Sequence, residues 1–569
     1  MKARGDGWPV RPTAAAHIRW ETGFNNLEYR VDGRNPAMKI IFCKKEELET
    51  VMRNITLTSC LGLALILASG SPVLADASLK FAGHWDSGTG EGTEVISVQG
   101  ESVQGETARA AVTNSAEGTI TILDLSDPAA PKTAAVFDLR LKSGEGVTSV
   151  AFHPEEDYFI VVIEVEGTKK NGRIEIRRAS DGKILKTLKA GSEPDAVVID
   201  SEGKVAVISN EGESFSFDRK TLQFESPPGS VTIVDLSDGP RHAKAIQVAL
   251  PDATGTVGMV SGEDKRFLER GVDLNGDGVI ADEFEDGVGG FDFNGNGVIE
   301  DLDFLAGFID DAEVWGNEEA GELVMIRLLD NSPRYLEPEL ASFSKNGKYA
   351  FVVMQENNGV VVIDVRAGAF VEYIGLGITT HAADKTDNGV IDFSETLVAL
   401  REPDGIAMTP DGRYFVTADE GDTDPKASKT KDGSPTGGGR TVSVFDAETG
   451  ILLGDTGSQI DLAADAEGVY PDGRSDSKGA EPENLVTFKF RGTTYAAVGL
   501  ERADSVALIS LADPTAPTVV DVARVNSADK KLGSQAPEGV GYLKSGGSLF
   551  IYAANEGSGV VCVFEVMPF

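Results

Sequence analysis

The chain has 569 residues, of which 41% are apolar, a share typical of a globular protein with several domains or one long repeat array. Its 91 acidic residues outnumber its 52 basic residues, which gives a formal net charge of -39. This balance argues against a nucleic-acid partner, because phosphate binding needs clustered Lys and Arg, and it favours cation binding.

The N-terminus predicts an export signal. Residues 1–51 show no periodicity and are interpreted as a non-native extension, with translation starting at Met52. Residues 52–77 have the three parts of a secretory signal: a short basic start, an apolar run from residue 55 to residue 70, and small residues suited to cleavage after Ala75 or Ala77. A transmembrane anchor is the alternative, but the apolar run is shorter than the ~20 residues that a span needs. We therefore expect a secreted or periplasmic protein with no membrane span in its mature form.

From residue 78 to residue 569 the chain repeats one unit seven times. In the unit at 193–250, short apolar strands alternate with turns rich in Gly, Asp and Pro, as antiparallel strands do. The first two strands of further units are predicted at 147–152 and 158–164, 340–344 and 348–354, 405–409 and 413–418, 484–490 and 494–499, and 539–543 and 548–554. Four short strands per unit predict an all-β fold, a seven-bladed β-propeller of the YVTN/WD40-like type, whose last sheet is completed by residues 79–85. A parallel β-helix is the rival, but it needs shorter and more uniform rungs.

Two insertions interrupt the repeat, at 251–335 and 376–401, and the first contains two calcium loops of the EF-hand or dockerin type. Such loops need oxygen side chains at positions 1, 3 and 5, a glycine for the sharp turn, and a carboxylate at position 12. The predicted ligands are Asp292, Asn294, Asn296 and Asp303 in the second loop, and Asp273, Asn275 and Asp277 in the first, where Glu283 stands one place early. A solvated Asn-Gly-rich loop is the alternative, but two adjacent copies favour calcium in a structural role.

A third candidate calcium loop lies in the second insertion. It begins at Asp384, continues through Asn388 and closes at Glu395, although Thr386 is a weak third ligand. Calcium is therefore the cofactor that the sequence predicts.

Acidic residues also recur once per unit at the two places that meet at one end of a blade. The first strand's start and the second strand's end lie at the same face, because the two strands are antiparallel. First-strand starts carry Glu94, Glu145, Asp195, Glu339, Asp404, Glu483 and Glu538, and second-strand ends carry Glu117, Glu164, Glu211, Glu356, Glu420, Glu501 and Glu556. Converging carboxylates raise one another's pKa unless a cation neutralises them, and the basic candidates are Arg401, Arg474, Lys478 and Arg502. Two interpretations of these acids stay open. They form a metal or phosphate site at the channel mouth, or they are blade-to-blade latches that accept backbone N–H bonds.

Several of these segments resemble the choice-of-anchor I family. The resemblance covers nearly all of 79–569, and it rests on the run 114–128, Asn210-Glu211-Gly212, Gln355-Glu356-Asn357-Asn358, Asp419-Glu420-Gly421-Asp422, the run 474–483, Gly499-Leu500-Glu501-Arg502 and Asn555-Glu556-Gly557. It implies an exported bacterial propeller related to the mesenchyme-specific cell surface glycoprotein, and some members are described as atypical alkaline phosphatases. The chain stops just past its last predicted strand, without a C-terminal anchor, so we expect free secretion or periplasmic residence.

Two functions follow from these patterns. The first is a monomeric, calcium-binding propeller that acts as a binding or scaffold module for an extracellular or periplasmic ligand. The second is a metal-dependent phosphoesterase with its site at the acidic channel mouth, in which Glu483 and its neighbours hold the metal, Arg474 or Arg502 clamps the phosphate, and Lys478 adds positive charge. His153 and His381 are interpreted as incidental loop residues. Whether the protein is an enzyme stays open at this point.

Overall fold

The computed structural model describes residues 77–100, 107–165, 170–212, 216–218, 223–225, 227–251, 314–317, 322–326, 336–420, 437–524 and 535–569. Strand β1 (Ala77–Asp86) opens this part of the chain. Blade 1 is formed by β2 (Ile96–Gln99), β3 (Arg109–Asn114), β4 (Thr119–Asp124) and β5 (Lys132–Asp138). Blade 2 is formed by β6 (Glu145–Phe152), β7 (Tyr158–Val165), β8 (Asn171–Arg178) and β9 (Ile184–Ser192). Blade 3 is formed by β10 (Pro194–Ile199), β11 (Val205–Asn210), β14 (Ser230–Asp235) and β15 (Lys244–Ala249), with the small hairpin β12 (Ser216–Asp218) and β13 (Gln223–Glu225) between its second and third strands.

The second half of the chain repeats this arrangement after a hairpin of β16 (Val314–Asn317) and β17 (Glu322–Ile326). Blade 4 is formed by β18 (Pro338–Phe343), β19 (Tyr349–Met354), β20 (Gly359–Asp364) and β21 (Ala369–Gly375). The hairpin β22 (Ile378–Ala383) and β23 (Glu395–Leu400) follows, and blade 5 is formed by β24 (Pro403–Met408), β25 (Tyr414–Asp419), β26 (Thr441–Asp446) and β27 (Leu452–Asp455). Blade 6 is formed by β28 (Pro482–Phe490), β29 (Thr493–Leu500), β30 (Ser505–Ser510) and β31 (Thr518–Ala523). The last three strands are β32 (Pro537–Ser545), β33 (Ser548–Asn555) and β34 (Val560–Pro568).

These strands form the predicted seven-bladed propeller. Each blade is a four-stranded antiparallel sheet with its strands in sequence order, and in blade 7 the outermost strand is β1, paired with β34. The innermost strands β2, β6, β10, β18, β24, β28 and β32 each contact the innermost strand of the next blade, and β32 contacts β2, so the ring closes. The four-stranded antiparallel sheets exclude the β-helix alternative.

The middle strands of each blade read as continuous apolar runs because neighbouring blades cover both of their faces. In β7, all six residues from Tyr158 to Ile163 are buried. Between blades 4 and 5, the Phe415 ring stacks on Phe445 with centroids 4.9 Å apart and lies 5.4 Å from Phe351. Burial of such side chains stabilises the ring by roughly 1.5–3 kcal/mol for each large apolar group.

The connection from blade 5 to blade 6 contains elements that the sequence analysis did not predict. Helix α1 (Gln459–Ala466) packs along β31, and a 3-10 turn covers Asp472–Arg474. The predicted insertion 376–401 forms the hairpin β22–β23. The two calcium loops predicted at 273–284 and 292–303 lie outside the described residues. No helix within the described ranges is both long and apolar enough to cross a membrane.

Candidate functional site

The register of the inner hairpin explains why acids gather at one end of the propeller. In blades 3 to 7 a proline opens the first strand and pairs with a residue at the end of the second strand, for example Pro482 with Leu500 and Pro537 with Asn555. The acid that follows each proline falls in a bulge, where the register shifts, as it does between Pro482 and Leu485. A bulge turns a side chain away from the regular alternation of the strand. The acids after the prolines and the acids after the second strands are thereby brought to the same face.

A second feature of the same turns fixes the second-strand glutamates. The residue before the proline has a left-handed backbone in four blades, at Glu193 (φ 43°), Glu402 (φ 46°), Glu481 (φ 61°) and Ala536 (φ 54°). Its carbonyl accepts the backbone N–H of the acid that ends the second strand, at 2.9 Å for Glu211, Glu501 and Glu556. Non-glycine residues adopt this conformation only where surrounding bonds hold it, so the turn has a defined shape.

Four glutamates from blades 5 and 6 form a compact cluster. Ligand oxygens of Glu420, Glu481, Glu483 and Glu501 all lie within 4.8 Å of one another, and all four side chains are buried. Burial and the neighbouring carboxylate of Glu481 raise the pKa of Glu501, whereas the side chain of Glu483 lowers it. We refer to these residues as the four-carboxylate cluster.

Three basic side chains border the four-carboxylate cluster. Lys478 Nζ lies 2.7 Å from Glu420 Oε1 and 3.7 Å from Glu481 Oε1. Arg502 donates from Nε to Glu481 Oε2 at 2.9 Å and also pairs with Glu501, while Arg474 lies 3.5 Å from Glu481. Each base is thus held by a carboxylate of the cluster.

The direction of the pKa shifts indicates that the ionised form of these glutamates is disfavoured in the cluster. Burial raises the pKa of Glu483 well above its usual range, and the nearby carboxylates of Glu420 and Asp404 raise it further. Burial also raises the pKa of Glu420, although Lys478 opposes that shift. Desolvation and like charges both disfavour the ionised form, so a cation bound among these oxygens would restore it.

A three-carboxylate cluster lies in the neighbouring part of the ring, formed by Glu211, Glu339 and Glu356. Burial raises the pKa of Glu339 well above its usual range, followed by repulsion from Glu211, Asp195, Glu356 and Asp404. Asp404 therefore acts on Glu339 as well as on Glu483, and it links the two clusters electrostatically.

The ring of acids continues through blades 7, 1 and 2. Burial raises the pKa of Glu538 to about 10, and its neighbours Glu556 and Glu94 add to the shift. Burial likewise raises the pKa of Glu94 to about 7, with Ser115 lowering it and Glu556 and Glu164 raising it. The sequence-based prediction of converging carboxylates thus holds for most of the named positions.

Some predicted members of the ring have other partners. Glu145 pairs with Arg173 at 2.6 Å and with Lys142, and Glu117 is exposed. Arg401 is buried away from the four-carboxylate cluster, where it lies 2.9 Å from Asp455 and 3.7 Å from Asp419. Arg401 therefore belongs to the structural support of blade 5.

The sequence left open whether the ring carboxylates are blade-to-blade latches that accept backbone N–H bonds. In the structure, asparagine side chains accept such bonds. Asn210 Oδ1 accepts the Gly191 N–H at 2.7 Å, and Asn357 Oδ1 accepts the Glu337 N–H at 3.0 Å. Asn358 Oδ1 accepts the N–H groups of Arg401 and Glu402. These bonds tie the end of a second strand to the segment that enters a blade.

The two singled-out histidines have structural contacts. His153 is buried, and its Nε2 lies 3.0 Å from the Gly203 carbonyl of the next blade. His381 Nε2 lies 3.0 Å from the Gly439 carbonyl.

The loop at 384–395 is shaped by its own polar side chains. Asp384 is buried, and its carboxylate accepts the N–H groups of Thr386 and Asp392, while Asn388 accepts the Val390 N–H. Glu395 is exposed at the start of β23 and pairs with Ala383. Neither of the two clusters of His, Cys, Asp or Glu found among the described residues includes this loop, and calcium binding there stays a prediction.

The sequence assigned no role to three residues of the site. Glu481 lies in the run 474–483, where the sequence best supports a metal or phosphate site, but it was given no individual role, although the repeated Glu-Pro dipeptide at 193, 337, 402 and 481 marks the position. Gln355 donates to Glu420 at 2.6 Å from the neighbouring blade. Arg440 is fully buried behind the cluster, and no motif in the sequence indicates it.

Buried carboxylates that share one space are suited to binding hard cations. Calcium takes six to eight oxygen ligands at roughly 2.3–2.6 Å, so oxygens within 4.8 Å of one another can share one ion. Both clusters consist of carboxylates alone, without the imidazole or thiolate ligands that zinc prefers.

A family model described as the choice-of-anchor I domain matches residues 101–285, 316–436 and 424–514, more than half of the chain. No curated protein sequence matches the chain. Among solved structures, the chain is similar to one titled "Kuenenia stuttgartiensis Hydrazine Synthase", with 12% identity and a TM-score of 0.45 over 84% of this chain and 96% of that chain. A similarity of this size carries no inference about activity or substrate.

Proposed function

Because the chain belongs to the choice-of-anchor I family, we propose that it acts outside the cytoplasm as a cation-dependent binding or scaffold module. The family implies a cell-surface or exported protein, and the predicted signal at 52–77 favours secretion or periplasmic residence. The closed ring of seven blades is a rigid support for ligand-binding side chains at its faces.

The observation that carries this proposal is the convergence of the Glu420, Glu481, Glu483 and Glu501 oxygens within 4.8 Å of one another. Like charges at this spacing repel strongly in a buried site, and burial raises the pKa of three of these groups. A divalent cation removes both penalties. Calcium fits the all-carboxylate ligand set and an extracellular setting, in which it is abundant enough for weak sites of roughly 10⁻⁴–10⁻³ M.

We also propose a second, peripheral class of calcium sites in the insertions. The ligands would be those predicted in the loops 273–284, 292–303 and 384–395. Calcium there would have a structural role, because loops with this ligand spacing hold their shape around a bound ion.

Calcium titration of the metal-free protein tests the proposed cation site at the four-carboxylate cluster, which we also call the channel-mouth site. Glu483→Gln keeps the side-chain shape but removes one charge, so we expect it to weaken the channel-mouth affinity by about tenfold or more. Glu202→Gln is the matched control, because Glu202 is exposed in a turn of blade 3 and pairs only with Lys204 among the contacts described. Unchanged calorimetric calcium affinity in Glu483→Gln would overturn the proposal.

The number of calcium ions bound distinguishes the peripheral loop sites from the site at the four-carboxylate cluster. An Asp273→Ala/Asp292→Ala variant should bind fewer calcium equivalents while keeping the affinity that depends on Glu483. Full stoichiometry in this variant would contradict calcium binding in the first insertion.

A metal-dependent phosphoesterase is the second candidate, favoured by the basic residues Arg474, Lys478 and Arg502 at the edge of the four-carboxylate cluster. A metal held by the glutamates would supply Lewis-acid chemistry, and the basic side chains would bind the phosphate oxygens. The test is hydrolysis of p-nitrophenyl phosphate with calcium, magnesium or manganese, for the wild type and for Glu483→Gln. Turnover at the buffer rate with every metal removes this candidate and leaves the binding module.

A further inference from the structure

The segment 471–481 supplies three side chains at the four-carboxylate cluster but contains little regular structure. It carries Arg474, Lys478 and Glu481, and its own backbone bonds are those of successive turns, such as Gly479 N–H to the Arg474 carbonyl at 2.9 Å. Turns of this kind hold a shape only when neighbouring elements fix them. The geometry of Lys478 and Glu481 therefore depends on what lies behind the segment.

Arg440 lies directly behind this segment. It is fully buried, has a left-handed backbone at φ 54°, and immediately precedes β26. Its Nη2 donates to the carbonyls of Ser475 and Ser477 at 2.8 and 2.6 Å. The two hydrogens of this one nitrogen bind two carbonyls of the turn, and the planar guanidinium leaves Nη1 free to donate elsewhere.

The same guanidinium also contacts two other elements. Its Nη1 donates to the Asp384 carbonyl at 2.9 Å, at the start of the loop between β22 and β23. It lies 3.7 Å from Asp461 of α1, whose carboxylate accepts the Ala480 N–H at 3.2 Å. Arg440 thus joins the hairpin, the helix and the segment 471–481.

The hairpin contacts the segment independently of Arg440. At the loop, the Gly389 N–H donates to Asp472 Oδ2 at 2.8 Å. Nearby, the ring of Phe393 meets that of Tyr470 edge-on, 5.1 Å between centroids, and the Tyr470 hydroxyl hydrogen-bonds Ser475. The inserted hairpin is therefore docked onto the back of the segment that carries Glu481.

We infer that Arg440 and the docked β22–β23 hairpin position the ligand Glu481, and thereby set the cation affinity of the four-carboxylate cluster. Arg440 is a positioning residue, since its contacts are with backbone carbonyls and Asp461 and not with the cluster oxygens. This inference rests on the proposed cation site. Ligands held in place before binding lose less conformational freedom when the ion enters, so loosening the segment weakens binding even in a folded protein.

Two variants test the inference on the full-length folded protein. Arg440→Lys keeps the charge but loses the second donor nitrogen, so one ammonium cannot reach both the segment 471–481 and the Asp384 carbonyl. Its matched control is Arg178→Lys, at an exposed pair with Asp181. Asp472→Ala removes the side-chain bond from the Gly389 N–H, and its control is Asp235→Ala, which removes the bond to Ser237 N–H in blade 3. Each variant is measured by calcium titration, by melting temperature in EDTA and by hydrogen exchange of the segment 471–481.

Loss of about tenfold in calcium affinity is expected for Arg440→Lys, in the range seen when groups that orient metal ligands are changed. Asp472→Ala should show a smaller loss with an unchanged melting temperature, and both variants should exchange faster at 471–481. A merely structural role would lower the melting temperature and leave the affinity of the folded protein unchanged, which overturns the inference. Unaltered exchange at 471–481 in both variants overturns it as well.

The hydrogen-exchange measurement needs no cation, so the two proposals fail separately. Calcium binding that Glu483→Gln does not affect refutes the channel-mouth site, whereas the exchange data still report whether Arg440 orders the segment. Binding that depends on Glu483 but not on Arg440 or Asp472 refutes the positioning role alone.

Discussion

Lys478 Nζ lies 2.7 Å from Glu420 Oε1, so a side chain of the segment before blade 6 neutralises a buried glutamate of blade 5. Glu420 also accepts a bond from Gln355 of blade 4. The lysine therefore occupies part of the space where a bound cation would lie, and it serves as an internal counter-charge. A lysine in this position competes with a metal ion, whereas a lysine in a phosphate site assists the ligand.

Lys478→Met should separate these two roles. We expect calcium to bind about tenfold more tightly, which corresponds to roughly 1.4 kcal/mol, because one competing positive charge is removed. In EDTA the variant should be less stable by about 2–4 kcal/mol, since Glu420 remains buried after losing its cation. Lys204→Met, at an exposed pair with Glu202, is the control for both measurements. Weaker calcium binding in Lys478→Met would contradict the competition and favour the anion-binding role.

The pH dependence of stability should reveal the raised pKa values. The pKa of Glu94 is about 7 in the folded protein and near 4.5 when the chain is unfolded, so the folded state binds more protons between these values. Stability of the metal-free protein therefore falls as the pH rises from about 4.5 to 7. Asp419, raised to about 6 by burial, acts in the same direction.

Thermal melts in EDTA check this expectation. The melting temperature should be higher at pH 5 than at pH 8, and calcium should reduce the difference by neutralising the ring. Glu94→Gln should flatten the profile, whereas Glu155→Gln, at an exposed position, should not. A melting temperature that rises from pH 5 to pH 8 in EDTA is the contrary result.

The fold could be predicted from the sequence because each blade repeats a local pattern. The hairpin predicted at 484–490 and 494–499 appears as β28 and β29, and the strand predicted at 79–85 appears as β1. Apolar runs between Gly, Asp and Pro turns depend on neighbours close in sequence, which a single chain displays. The identity of the ring acids followed from the same repetition.

The rest of the site depends on contacts between distant parts of the chain. Glu481 lies beside Glu420 because the segment 471–481 contacts blade 5, where Arg440, the residue before β26, donates to its carbonyls. Helix α1 was not predicted because eight residues with one apolar face give a weak periodic signal. Such contacts between turns that are distant in the chain leave no local pattern in the sequence, so they could not be predicted from it.

Asn210 offers a test of the latches. The side chain is fully buried, accepts the Gly191 N–H at 2.7 Å and donates to the Ser230 carbonyl and the Thr232 hydroxyl. Asn210→Ala should lower the free energy of unfolding by about 2–3 kcal/mol, because buried polar groups lose their partner. Calcium affinity at the channel mouth should change little. The control Asn346→Ala removes an exposed turn asparagine that accepts the Lys348 N–H, and it should lower stability by less than about 1 kcal/mol.

We expect the stability of the ring to depend on β1. Strand β1 completes blade 7 by pairing with β34, from Ala77 opposite Pro568 to Asp86 opposite Val560. It also contacts both neighbouring blades, since the Leu79 N–H donates to Asp521 at 2.6 Å and Trp85 donates to Thr133 at 2.8 Å. Ala77 is buried, so signal cleavage after Ala75 would keep the whole strand, and N-terminal sequencing should find Asp76 first.

A chain that begins at Asp76 should therefore fold as a monomer, whereas one that begins at Ser87 leaves the edge of β34 unpaired. Such an edge pairs with other chains, so we expect the shorter protein to aggregate or to melt at a much lower temperature. A peptide of residues 76–86 added during refolding should restore the monomer and its melting temperature, because strand pairing with β34 supplies the missing bonds. Light scattering and thermal melts measure both effects. Equal stability of the two chains would show that β1 does not close the ring.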